Sequence, residues 1–199
     1  MSSRKLLCRI AKAALHQVVR YNGAVDFLLR DYRPEDFDVL WRIDQKCFPL
    51  GIAYSRRELT AYVRRRASFT VVANRALGSG MPVTSSGEVT DDFMGILGFI
   101  VAEAGRRGLG HIISIDVLPE SRRLGVGSRL LNAAEERLRA ALCHTVALET
   151  AVDNATALAF YKRHGYSVVQ IVPRYYPNGV DAFLMDKSLS LAQSARRQP

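Results

Sequence analysis

Cysteine is scarce in this chain of 199 residues: Cys8, Cys47 and Cys143 are odd in number and far apart. No C-x-x-C pair occurs, so neither a disulfide framework nor a zinc site is expected, and a reducing, cytoplasmic setting is favoured. Long apolar runs are missing as well. None approaches the ~18 to 20 residues that cross a bilayer, so no membrane role is expected. His111, His144 and His164 lack the i, i+4 spacing of a helical metal pair, and each has a surface or strand-end explanation, so no metal is expected either. Acids are absent from the start of the chain: Arg4, Lys5, Arg9, Lys12 and Arg20 all precede the first one, Asp26. A signal peptide is a poor reading of that start. Arg9 and Lys12 interrupt "LLCRIAKAAL", and no small-residue cleavage pattern follows.

What is present describes one ordinary domain. Hydrophobic residues make up 48% and charged residues 24%, which suits a soluble globular chain with a real core. The net charge of +9 is concentrated early. Residues 1–24 read as a basic, weakly helical extension. It suits RNA, a ribosome or acidic lipid, and it equally suits a solvated appendage. Residues 25–190 carry the globular pattern, and 191–199 read as a frayed tail.

Within the domain, "VDFLLRDY" suits a strand and "RPEDFDVLWRIDQKCF" a helix, broken by Pro49 and Gly51. "SRREL" is a capping box, Ser55 with Glu58, opening a second helix to about Arg66. "SFTVVAN", "FMGILGFIVAEA" and "HIISIDVL" read as strands, with a Gly/Ser/Thr-rich loop at 75–92. A helix over 126–141, the strand "HTVALET", a helix capped by Asn154 and stopped by Gly165, and two closing strands complete the chain. The order predicts an α/β domain with a mixed sheet.

"RRLGVGSRLL", residues 122–131, follows a strand and opens a helix. A helix start offers unpaired N–H groups and partial positive charge. Gly125 and Gly127 clear side chains away from those amides, and Arg122 and Arg123 can donate to phosphate oxygens. This is neither a Walker loop nor the dinucleotide fingerprint, and taken alone it is equally an ordinary helix start containing glycines.

Its context carries more. "IDVLPESRRLGVGSRLLNAAE" resembles the R/Q-x-x-G-x-G/A segment that holds the pyrophosphate of acetyl-CoA in the GNAT superfamily of N-acetyltransferases. "ALETAVDNATALAFYKRHGY" and "PRYYPNGVDAFLM" are similar to the RimI-type branch, which acetylates protein N-termini. The resemblance covers about residues 27–188. It implies a GNAT fold: a mixed central sheet of about seven strands, splayed between the fourth and fifth, with about four helices. It also implies acetyl-CoA as co-substrate. The pantetheine arm would pair with backbone near Ile115, Asp116 and Val117, the pyrophosphate would lie on Arg122, Arg123, Leu124, Gly125, Val126, Gly127 and Ser128, and Asn154 would hydrogen-bond the pantetheine.

The same resemblance assigns the chemistry. Glu149 matches the branch's general base. Read from the residues alone, it is a strand-end carboxylate paired with an arginine. Tyr161, seven residues after Asn154 on one helical face, is the candidate acid or else a core aromatic. Tyr175 and Tyr176 would clamp the acceptor's first residues, or serve as edge aromatics. Phe48, Pro49, Leu50 and Tyr54 of "FPLGIAY" would form the opposite wall, where the branch more often has a shorter Pro-Trp-Ser segment. His111, on the strand leading to the cofactor, is a weaker candidate for the acceptor.

The expected activity is acetyl transfer to the α-amine of a protein or peptide N-terminus, with a ribosomal protein among the acceptors. Two other readings stay open: a GNAT acting on a small amine or lysine side chain, and a non-catalytic acyl-CoA-binding protein associated with ribosomes or nucleic acid.

Overall fold

The computed structural model describes residues 19–21, 24–76 and 93–189. Residues 1–18 of the expected extension, most of the expected loop at 75–92 and the expected tail at 191–199 lie outside them. The strands are β1 (Val19–Tyr21), β2 (Ala24–Asp31), β3 (Ser68–Arg75), β4 (Ile96–Ala104), β5 (Leu109–Val117), β6 (Thr145–Ala151), β7 (Ser167–Val172) and β8 (Ala182–Ser188). The helices are α1 (Phe37–Cys47), α2 (Arg56–Arg64), α3 (Val126–Ala140) and α4 (Ala155–Arg163). All eight strands form one mixed sheet in the order β1-β2-β3-β4-β5-β6-β8-β7. The seven expected strands and four expected helices are all present. The addition is β1, which pairs antiparallel with β2 and places the end of the expected helical extension in the sheet.

Each helix buries the stripe that its spacing marks. On one face of the sheet, α1 and α2 set Val39, Leu40, Ile43 and Leu59 against Val72, Phe99, Val101 and Leu118. On the other, α3 and α4 set Leu130, Leu131, Ala134, Leu138 and Tyr161 against Val71, Ile100, Ile112 and Leu148. Covered on both sides, β4 is buried without interruption from Ile96 to Ala102, as expected of a central strand. The Ser55–Glu58 capping box closes as the spacing predicts: Ser55 N donates to Glu58 Oε2 at 2.9 Å, and Glu58 N donates to Ser55 Oγ at 3.3 Å.

The sheet is incomplete at one seam. On one side, β5 runs antiparallel to β4 from Gly98↔Val117 to Ala104↔Gly110. On the other, β5 and β6 are parallel and pair only at Leu109↔Thr145, Gly110↔Val146 and His111↔Ala147. Both strands continue, β5 to Val117 and β6 to Ala151, without further pairing to each other. This is the splay between the fourth and fifth expected strands. Among the described residues, no helix is long and apolar enough to cross a membrane.

Candidate active site

The opening between β5 and β6 ends at the start of α3. Gly125 caps that helix in the left-handed region, φ 81°, where L side chains are strained, and a Cβ added there would meet nothing within 4 Å. The space in front of it is therefore free. A Cβ on Gly127 would lie 3.5 Å from the Phe160 ring. Leu124 and Val126 pack into the core, so this turn offers its surroundings backbone rather than apolar side chains. The first intrahelical bond comes from Arg129 N to Gly125 O, which leaves the amides of Val126, Gly127 and Ser128 without partners inside the helix. Arg122 folds back, and its Nε donates to Val117 O at 3.1 Å. Cys47 Sγ donates to the same carbonyl at 3.3 Å.

At the other end, where β6 leaves β5, Glu149 Oε2 lies 2.8 Å from His111 Nε2. Their side chains are 19% and 38% exposed, so solvent reaches the pair only partly. Burial pushes the Glu149 carboxyl up, but the hydrogen bond and charge of His111, with the approaching Tyr175 hydroxyl, outweigh it and hold the group below the usual carboxylate range. An ionised carboxylate only accepts hydrogen bonds. His111 Nε2 therefore carries a proton and donates it to the carboxylate whether the ring is charged or neutral, and in the neutral ring Nδ1 is the nitrogen left able to take up a proton.

A wall of tyrosines faces this pair. The Tyr175 and Tyr176 rings meet edge to face, with centroids 5.0 Å apart. Burial, followed by the negative charge of Glu149, raises both phenols, Tyr176 to about 12, so both keep their protons. From the opposite loop, Tyr54 donates its hydroxyl to Ile113 O at 3.2 Å and packs against Tyr62. Its phenol is raised by burial and by the Tyr62, Tyr175, Asp116 and Tyr176 groups, so the two loops share one electrostatic environment. They also touch, because a Cβ on Gly51 would fall 2.9 Å from Asn178 Cβ.

Beneath the wall lie two buried acids. Asp44 Oδ2 accepts from Tyr54 N at 2.8 Å and from the Gln45 side chain at 2.9 Å, and this anchors the loop. Burial raises Asp44 to about 6. Asp116 accepts from Ser114 Oγ at 2.7 Å, and burial raises it well above the ordinary range. Among the described residues, Oδ1 of each acid has no hydrogen-bond partner. Tyr161 is buried, and burial together with the Asp116 and Tyr176 groups raises its phenol.

The structure gathers Tyr54, Glu149, Tyr161, Tyr175 and Tyr176 around the opening, with Ile115, Asp116 and Val117 along its β5 edge. Asn154 caps α4, its Oδ1 accepting from Ala157 N at 3.0 Å. Leu50 is 96% exposed, Pro49 is exposed and Phe48 is half-buried. Sequence reasoning missed the pairing of His111 with Glu149, the inclusion of Tyr62, and the Ser128–His164 contact, at 3.0 Å between Oγ and Nε2. An acid inside the apolar run "IISIDVL" was a legible sign of Asp116's unusual setting.

The acetyltransferase (GNAT) family model matches residues 37–166. An N-alpha-acetyltransferase of Saccharolobus solfataricus is 31% identical over 170 residues, 82% of this chain and 94% of that protein. An uncharacterized N-acetyltransferase of Methanocaldococcus jannaschii is 44% identical over 81 residues, 40% of this chain; that alignment spans about half of the relative, 52%. The crystal structure of Ard1 from Thermoplasma volcanium superposes with a TM-score of 0.67 at 26% identity, covering 81% of this chain and 97% of that one.

Proposed function

The chain belongs to the GNAT acetyltransferase family, and from that footing we propose that it transfers an acetyl group from acetyl-CoA to the α-amine of a protein or peptide N-terminus. The observation that carries this reading is the Glu149–His111 pair at the mouth of the opening, facing Tyr175 and Tyr176. The turn at Arg122–Ser128 fits a diphosphate, since Gly125 leaves the space in front of the amides clear. With the Val117 carbonyl held by Arg122 and Cys47, Ile115 and Asp116 are the stretch left for the pantetheine arm, and the amide of Asn154 adds a donor at its end.

The chain's residues divide the proton work. An α-amine has a pKa of about 7.7 to 8.0, against about 10.4 for lysine, so near neutral pH a modest base suffices. His111 Nδ1, oriented by Glu149, takes the proton from the attacking amine directly or through water. Backbone N–H groups along the open edge of β5 steady the oxyanion. As the C–S bond breaks, Tyr161, held protonated by its burial, gives its hydrogen bond to the leaving thiolate, and the proton taken up at His111 passes to the thiolate or to solvent. Tyr175 and Tyr176 hold the acceptor backbone from one side and Tyr54 from the other. A ribosomal protein as acceptor, reached through residues 1–24 in the cytoplasm, is the finer form of the proposal.

Peptides with free N-termini, ribosomal ones among them, are compared with the same peptides blocked at the N-terminus and carrying a free lysine. Mass spectrometry locates the acetyl group. Faster acetylation of the free N-termini is expected. Preference for the blocked lysine peptides would transfer the reading to side-chain or small amines, and acetyl-CoA binding without transfer would leave a binding protein.

A further inference from the structure

Behind the glycine turn, the end of α4 meets the start of α3. His164 follows the last residue of α4, and its Nδ1 lies 2.8 Å from Phe160 O. A carbonyl only accepts, so Nδ1 carries a proton in either charge state of the ring. All variation falls on Nε2, which lies 3.0 Å from Ser128 Oγ in the first turn of α3. In the neutral ring, Nε2 is a lone pair and the Ser128 hydroxyl must spend its hydrogen on it. The oxygen then turns only lone pairs toward anything in front of the helix. In the charged ring, Nε2–H donates to Ser128 Oγ, and the hydroxyl hydrogen is released to point outward. The geometry is held firmly: the His164 ring is 4.4 Å from that of Phe160, which in turn lies beside Gly127.

We propose that His164 is a proton-operated positioning residue of the diphosphate site, converting the Ser128 hydroxyl from a hydrogen-bond acceptor into a donor toward the ligand when the ring is charged. This deepens the acetyl-CoA reading above and rests on it. The charged residues nearest in the chain are Arg129, next to Ser128 on α3, and Lys162 and Arg163 on α4, and Lys187 comes in from β8. Lys187 lies against Gly165 and is bonded to Glu135 at 2.7 Å. The acid that meets Lys187, Glu135, is also bonded to Arg139 and Tyr166. A bound diphosphate that accepts the released Ser128 hydroxyl hydrogen would favour the charged ring, and binding would draw in a proton through that link.

The probe is CoA lacking its 3′-phosphate, because that monoester itself titrates near pH 6 and would mask the signal. Calorimetry on the full chain at about pH 6 and about pH 8 should give wild-type binding on the order of fivefold to tenfold tighter at the lower pH. At an intermediate pH, repeating the titration in two buffers of different ionisation enthalpy should show net proton uptake. Ser128→Ala and His164→Gln should each lose both the pH difference and the uptake, and Ser128→Thr, which keeps a hydroxyl, should retain them. Ser128→Ala sits at a helix start rather than in the core, so it provides a folded variant if His164→Gln is unstable. Wild-type binding that is equal at both pH values, or uptake that persists in Ser128→Ala, would overturn the role of His164 and leave the diphosphate site standing. Absence of binding at both pH values would overturn the site and this role together.

Discussion

Strand β5 has two edges, and they are built for different ends. Toward β4 it is zipped along nearly its whole length, with apolar pairs such as Ile100 opposite Ile115 and Ala102 opposite Ile112 beneath covering helices. Toward β6 it pairs at three positions and then stops, and the side chains along the gap are Glu149, His111 and tyrosines. The same strand sequence serves both. The closed edge satisfies its own backbone and contributes stability. The open edge leaves N–H and C=O groups that β6 does not pair, and this is where the proposed function puts ligand and chemistry.

The sharpest way to break this contrast is at the phosphate end of the open edge. Gly125→Glu puts a carboxylate and a strained backbone where the space is empty, and acetyl-CoA affinity should fall at least about 100-fold through like-charge repulsion and lost amide contacts. Calorimetry measures it, with circular dichroism to confirm that the fold is intact. Next in size is Glu149→Gln. It removes the charge that orients His111, so turnover should drop by about 100-fold with little change in acetyl-CoA affinity. The loss should shrink as pH rises, because the free amine then forms without help. A rate profile from about pH 6 to 9 checks this, and a variant as fast as wild type near neutrality would remove Glu149 from the mechanism.

The closed edge should respond in the opposite way. Ile100→Val trims one methylene from a fully buried residue and should cost about 1 kcal/mol in denaturant unfolding while leaving the Michaelis constants for both substrates unchanged. A shift in acetyl-CoA affinity would mean that the two edges are coupled. Smallest is Tyr175→Phe. The ring stays and one hydroxyl goes, so peptide KM should rise by about threefold with acetyl-CoA affinity untouched, as steady-state kinetics with a tripeptide series would show.

Much of this was legible in the residues, and the failures have physical causes. The capping box, the strand patterns and the glycine turn are local features, written within four to ten consecutive residues, and they formed as read. β1 escaped because three residues amid basic neighbours carry no period; its evidence is a partner strand. The His111–Glu149 contact escaped for a related reason. The two residues are 38 apart, and only the parallel register of β5 with β6 brings them together. Tyr62 sits at a helical spacing indistinguishable from that of a core aromatic. Backbone register was thus the missing information, while fold class and the local shape of the glycine turn did not need it.

The touch between Gly51 and Asn178 has a topological consequence. Two loops that approach without meeting leave a trench, into which any stretch of a polymer can be laid sideways. Two loops that meet make an arch, and under an arch only something with a free end can be threaded. A polypeptide has two backbone ends, and only one of them bears an amine. On the proposed function, the contact would sort acceptors by connectivity before any side chain is read: a loop in the middle of a folded protein would have to be cut to enter.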